Sequence, residues 1–164
     1  MSIHVKRAFV LADVMKMAQS CQTEESFLAL LKRKKLRVDM LPESRLNRII
    51  GRDADRLRRF DECAWVLRDV PIDDCLVYPG MGGRPWARGA VGDVADIFCS
   101  KEPADSRIWR MKSFAEIYRM SLPIIVLEQG SLLSIDDGSH RAVAMRLCGI
   151  ETAKAYVGRG DLTT

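Results

Sequence analysis

A chain of 164 residues with 48% hydrophobic side chains holds enough apolar material for one well-filled core and hardly enough for two, so one globular domain with an elaborated flank is expected. No stretch approaches the roughly 18 apolar residues of a membrane span, and the N-terminus has no basic start followed by an apolar signal core, so a cytoplasmic chain without membrane insertion is expected. The net charge is +4, yet residues 32 to 59 carry eleven basic side chains against four acidic ones, a local +7 that leaves −3 for the rest and hints at an anionic partner.

The first sixty-odd residues read as helical. Val10, Val14 and Met17 have helical spacing within 9 to 19, and Phe27, Leu30 and Leu31 within 24 to 35, the second helix opened by the N-cap candidate Thr23 and acidic Glu24 and Glu25. Pro42 followed by Glu43 fits the first turn of a third helix running to about Arg68. Arg45, Arg48, Arg52, Arg56 and Arg59 recur at three and four residues and so line one face of it. Beside Arg33, Lys34, Lys35 and Arg37, that stripe suits DNA phosphates; the competing reading is a solvated face.

From Val70 the pattern becomes mixed. Residues 1 to 65 thus form a basic helical extension and 66 to 164 an α/β domain, with no Gly/Ser or Pro-rich linker between them, so the extension should pack on the domain. Cys75 to Tyr78 is a short strand candidate closed by Pro79-Gly80, Met81 to Pro85 is loop, and 106 to 120 has helical spacing. Pro123 to Leu127 is a β-branched run typical of a buried strand. Glu128-Gln129-Gly130 is a turn, in which Glu128 is a weak candidate acid or metal ligand, and Leu132 to Ile135 is a second strand. A helix over Ser139 to Cys148 ends at Gly149, and Ala153 to Val157 closes the chain as a strand.

Five scattered cysteines, Cys21, Cys63, Cys75, Cys99 and Cys148, read as reduced thiols, since none are paired as C-x-x-C. With only His4 and His140, a histidine-rich metal site is excluded, and neither lies near a nucleophile elbow. Trp65, Trp86 and Trp109 read as core residues before base-stacking platforms.

The chemistry concentrates in Ile135-Asp136-Asp137-Gly138-Ser139-His140-Arg141. A strand, a glycine turn and a helix leave backbone N–H groups unpaired at the positive end of the helix dipole, which makes an anion site. Gly138 allows close approach, Ser139 offers a hydroxyl, His140 can assist as acid or base, and Arg141 can add a forked cation to a phosphate. Asp136 or Asp137 can hold Mg²⁺ or act as a base. The bland alternative is a helix start capped by Asp and Gly.

The run from Ser134 to Ile150, followed by a strand and preceded by Pro123-Ile124-Ile125-Val126, resembles the D-G-x-H-R-x-x-A…G signature of the ParB/sulfiredoxin superfamily. The likeness covers about 70 to 158 and leaves the N-terminal 65 residues out. It implies a small mixed sheet with helices, nucleotide phosphates held by Gly138, Ser139, His140 and Arg141, and Arg84 of the Met81 to Trp86 loop as a second phosphate ligand. Sulfiredoxins have a catalytic cysteine where this chain has Ser139, so sulfinic-acid reduction is not expected. ParB proteins have G-E-R-R in the turn and a helix-turn-helix after it, so partition-complex assembly is not expected either.

With D-G-S-H-R beside a basic helical N-terminus, the chain is similar to the plasmid fertility-inhibition, or oncogenic-suppression, family. That resemblance implies ATP and Mg²⁺ at the site, ATP hydrolysis, DNA cleavage and blockage of conjugative transfer, with conjugation and type IV secretion proteins as partners. Water for phosphate attack would be oriented by Asp136 or Asp137, with Arg141 and the metal balancing phosphoryl charge. Rival readings are a non-catalytic nucleotide-responsive adaptor and a small-metabolite kinase.

Overall fold

The computed structural model describes residues 1–17, 24–51, 54–101 and 122–160. In chain order these form α1 (Ile3–Met17), α2 (Glu24–Arg33), a 3₁₀ turn (Val38–Met40), α3 (Glu43–Ile50), α4 (Ala54–Asp61), β1 (Ala64–Pro71), a second 3₁₀ turn (Met81–Gly83), α5 (Val91–Lys101), β2 (Ile124–Gln129), β3 (Leu132–Asp137), α6 (Ser139–Leu147) and β4 (Thr152–Arg159). The architecture is α/β: helices with a four-stranded mixed sheet in the order β1-β4-β2-β3.

β1 and β4 are antiparallel, β4 and β2 parallel, and β2 and β3 an antiparallel hairpin. The parallel pair requires a crossover, and α6 supplies it. Strand alternation divides the interior into two layers. Ile124 and Val126 of β2 join Ala153, Ala155 and Val157 of β4 in the core shared with α5 and α6. Their neighbours Ile125, Leu127 and Tyr156 face the opposite way and pack with Val5, Phe9, Leu46 and Phe60 of the N-terminal helices.

The helical extension is therefore one wall of the sheet. α1 is tied to the segment around the first 3₁₀ turn: Lys6 pairs with Glu43, while the Arg7 guanidinium donates to the carbonyls of Val38 and Leu41.

Several expectations change. The third helix does not run to Arg68: it stops at Ile50, restarts at Ala54 and ends at Asp61, after which Ala64 to Pro71 is a strand. Trp65, Val66 and Val70 are β-formers, and an eight-residue antiparallel ladder with β4 outweighs the helical spacing of the arginines before them. The split also breaks the five-arginine stripe. Cys75 to Tyr78 is no full strand; Leu76 makes single bridges to Ala90 and Ser134. Val91, Val94, Ala95 and Phe98 bury one face of α5, an unexpected helix. Arg52, Trp109, Cys21 and the helix expected over 106 to 120 lie outside the described residues.

Cys63, Cys75, Cys99 and Cys148 are thiols, and burial pushes that of Cys75 up to about 11, so it stays protonated at neutral pH. Trp65 and Trp86 pack against the two cores. Among the described residues no helix is long and apolar enough to cross a membrane.

Candidate functional site

β3 ends at Asp137, Gly138 turns the chain, and α6 begins at Ser139. Gly138 has φ 101° and ψ 15°, a left-handed conformation that side chains resist. A Cβ there would lie 2.7 Å from Ile124 Cγ2 and 2.9 Å from Arg141 Nη2, so both backbone and space demand glycine. The register of the β2–β3 hairpin slips by one between Ile125 and Val126, with Asp136 passed over in the pairing. Bulges of this kind re-aim side chains beside sites, and here the two adjacent acids reach different arginines.

Asp137 turns inward. Its side chain is 1% exposed and accepts from Arg141 Nη2 at 2.9 Å. Arg141 also donates to the carbonyls of Leu122 and Pro123, both at 3.1 Å. Burial draws the Arg141 guanidinium below its ordinary pKa, and the Asp137 charge opposes that. Arg141 is thus a brace tying the start of α6 to the start of β2. The phosphate fork expected of Arg141 stays a proposal: its Nη1 and Nη2 groups bond within the protein, and it does not line the cleft described below.

Asp136 faces the N-terminal layer. Arg56 of α4 donates through Nε to Asp136 Oδ2 at 2.6 Å and through Nη2 to the Asp136 carbonyl at 3.1 Å, and it forms an ion pair with the carboxylate. Burial, the largest influence, raises the Asp136 carboxyl above its ordinary range; the Arg56 hydrogen bonds and charge offset only part of this. Arg56 also lies over the Phe9 ring, 4.4 Å from its centroid. This pairing spans 80 residues of sequence, so no local motif announces it.

Ser139 is buried, and its hydroxyl accepts from the Tyr78 backbone N–H at 2.8 Å. That bond holds the loop after Leu76 against the helix start. Leu76 itself is fastened to β3 by bonds of 2.8 Å with Leu133 and Ile135.

Together these elements enclose an open cleft of about 330 Å³ lined by Arg56, Arg59, Tyr78, Gly80, Met81, Asp136, Asp137, Gly138, Ser139 and His140. The cleft thus brings together most of the motif and adds Arg56 and Arg59, which helical spacing alone places on a DNA-facing stripe. Arg45 and Arg48 remain exposed on α3. Arg84 does not line the cleft; its guanidinium sits 5.1 Å from the centroid of Phe98, on the α5 side. Glu128 lies in β2, not in a turn, and is held by Arg68 and Arg159; the Arg159 hydrogen bond above all depresses its pKa. It is a sheet-surface ion pair and lines no part of the cleft.

Metal chemistry is limited by the donors present. Among the described residues no group of three or more His, Cys, Asp and Glu side chains could hold a metal. Asp137 is paired with Arg141 and Asp136 with Arg56, so a Mg²⁺ held by Asp136, and otherwise by phosphate oxygens and water as is usual for this ion, fits where Arg56 gives up that carboxylate. Comparisons of the chain with protein-family models, curated proteins and solved structures find no match.

Proposed function

We propose that the cleft binds the phosphate chain of a nucleotide, ATP in the first instance, and that the protein hydrolyses it. The observation that carries this reading is the convergence of an α-helix start, opened by a left-handed glycine, with two arginines of α4 around one open cleft. Helix N–H groups favour an anion, the guanidinium groups supply forked positive charge, and the volume falls in the range of ligand sites. The ParB/sulfiredoxin resemblance of Asp137-Gly138-Ser139-His140-Arg141 supports the same ligand class.

In the proposed reaction Gly138, Ser139 and His140 bind phosphate through their backbone, and Arg59 neutralises phosphoryl oxygens, joined by Arg56 once it leaves Asp136. Asp136 accepts a hydrogen bond from the attacking water; the water oxygen joins the γ-phosphorus as the bond to the bridging oxygen breaks, releasing ADP and inorganic phosphate. Mg²⁺, when bound, would offset charge on the phosphate oxygens. DNA would meet Arg45 and Arg48 together with the exposed Lys32, Arg33, Lys34, Lys35 and Arg37. DNA cleavage and blockage of conjugative transfer through secretion proteins rest on the family resemblance alone.

A second reading, a nucleotide-responsive adaptor without turnover, is favoured by one observation: both acids at the site are held by arginines. Phosphate release from ATP with Mg²⁺ separates the two. Sustained turnover, lost in Asp136→Asn and weakened in Arg59→Ala, supports the hydrolase; nucleotide binding with no more than one turnover assigns the adaptor, and no binding removes both.

A further inference from the structure

Arg56 occupies an unusual position for a residue that merely pins two elements together. It lines the 330 Å³ cleft on one side and, on the other, a separate cavity of about 120 Å³ bounded by Phe9, Asp13, Ile49, Ile50, Leu57 and Phe60. The residue therefore borders both spaces, with its guanidinium over the Phe9 ring and 5.6 Å from the centroid of Phe60. A side chain bordered by open space on two sides has more room to change direction than one enclosed in a close-packed core. The carboxylate it holds belongs to the acid that Arg141 does not claim.

We propose that Arg56 is an exchangeable latch: it holds Asp136 while the cleft is empty and transfers to the phosphate chain of the ligand, so that anion binding frees Asp136 and repositions α4. The inference rests on the phosphate-binding reading above and adds the regulation of that site. A polyphosphate offers Arg56 forked acceptors with more charge than a single carboxylate, so the exchange is electrostatically favourable. Because Arg56 and Arg59 share α4, and Phe60 of that helix is fully buried against Phe9, the exchange is transmitted to the N-terminal layer that carries Arg45 and Arg48. The ligand thereby completes its own site: without it the acid is occupied, and with it the acid is available.

The test is a double-mutant cycle read by calorimetry, with inorganic tripolyphosphate and ATP without Mg²⁺ as probes. Asp136→Asn should bind both probes about fivefold or more tightly than wild type. The gain should vanish when Asp136→Asn is combined with Arg56→Gln, since removal of a repelling charge alone would persist without the arginine. A gain that survives in the double variant, or an unchanged or weaker affinity in Asp136→Asn, overturns the latch while leaving phosphate binding intact; failure of wild type and variant alike to bind either probe overturns both. Should Arg56→Gln fail to fold, the Arg56 Nε–H signal in the nitrogen-15 spectrum of wild type, assigned by its loss in Arg56→Lys, gives the answer. A shift on adding tripolyphosphate supports exchange, and an unmoved signal under saturating probe refutes it.

Discussion

Replacing Gly138 by alanine tests the geometry of the site with the least chemical change. Holding an L-residue at φ 101° costs about 1–2 kcal/mol. The added Cβ would lie 2.7 Å from the Cγ2 of Ile124, a fully buried side chain in the centre of the sheet, and 2.9 Å from the Arg141 guanidinium. Overpacking of this kind adds about 1–3 kcal/mol, for a total of about 2–5 kcal/mol and a fall in Tm of about 5–20 °C in a chain of this size. Gly149 is the internal control: it has φ 74° and nothing within 4 Å of the place a Cβ would occupy, so Gly149→Ala should show the conformational cost alone, about 1–2 kcal/mol. The assay is urea unfolding followed by circular dichroism, with thermal melts alongside. Equal losses in the two variants would refute the packing of Gly138 against Ile124 and Arg141, and with it the account of why glycine opens the helix.

Arg141→Ala should destabilise the fold by about 3–5 kcal/mol, because it leaves Asp137 buried without its cation; a stability equal to wild type, with loss of nucleotide binding only, would return Arg141 to the ligand. Ser139→Ala should cost about 1 kcal/mol by leaving the Tyr78 N–H without its acceptor, measured by the same unfolding. Glu128 has a folded pKa below its unfolded value, so its stabilisation is present above the unfolded pKa and is lost as pH falls through the folded one. The acid limb of a stability profile should therefore flatten in Glu128→Gln, and an unchanged limb would contradict the pairing with Arg159 and Arg68. Charge reversal at Arg45 and Arg48 should weaken DNA binding and lower its salt dependence; affinity indifferent to both would reduce that face to a solvated one.

The parts of the fold that are legible in the chain are those where local chemistry and long-range packing agree. Pro123 to Leu127 is apolar throughout and Leu132 to Ile135 apolar but for Ser134, and these runs become the hairpin, while Gly138 and Gly149 bracket α6 with left-handed turns at each end. β1 is obscured because its apolar residues follow directly on arginines at helical spacing, and only the ladder with β4 decides between the two periods. α5 is a different case. Val91, Val94, Ala95 and Phe98 carry an ordinary i, i+3, i+4, i+7 pattern that should mark it.

At the site, most of the motif lines one cleft, while Asp137 and Arg141 bond to each other. The i, i+4 spacing of Asp137 and Arg141 is the available sign that the arginine serves the fold. No comparable sign exists for Arg56 and Asp136, which meet only because the N-terminal helices close over one face of the sheet. An arginine stripe read on one continuous helix cannot show that its C-terminal members turn toward a different surface once the helix breaks.

Whether Gly138 and its neighbours hold phosphate is tested most directly by amide chemical shifts during titration with ATP. The largest shifts are expected at Gly138, Ser139, His140 and Tyr78, with saturation and competition by tripolyphosphate. Shifts confined to Arg45, Arg48 and the Lys32 to Arg37 segment, with the α6 start unmoved, would contradict it.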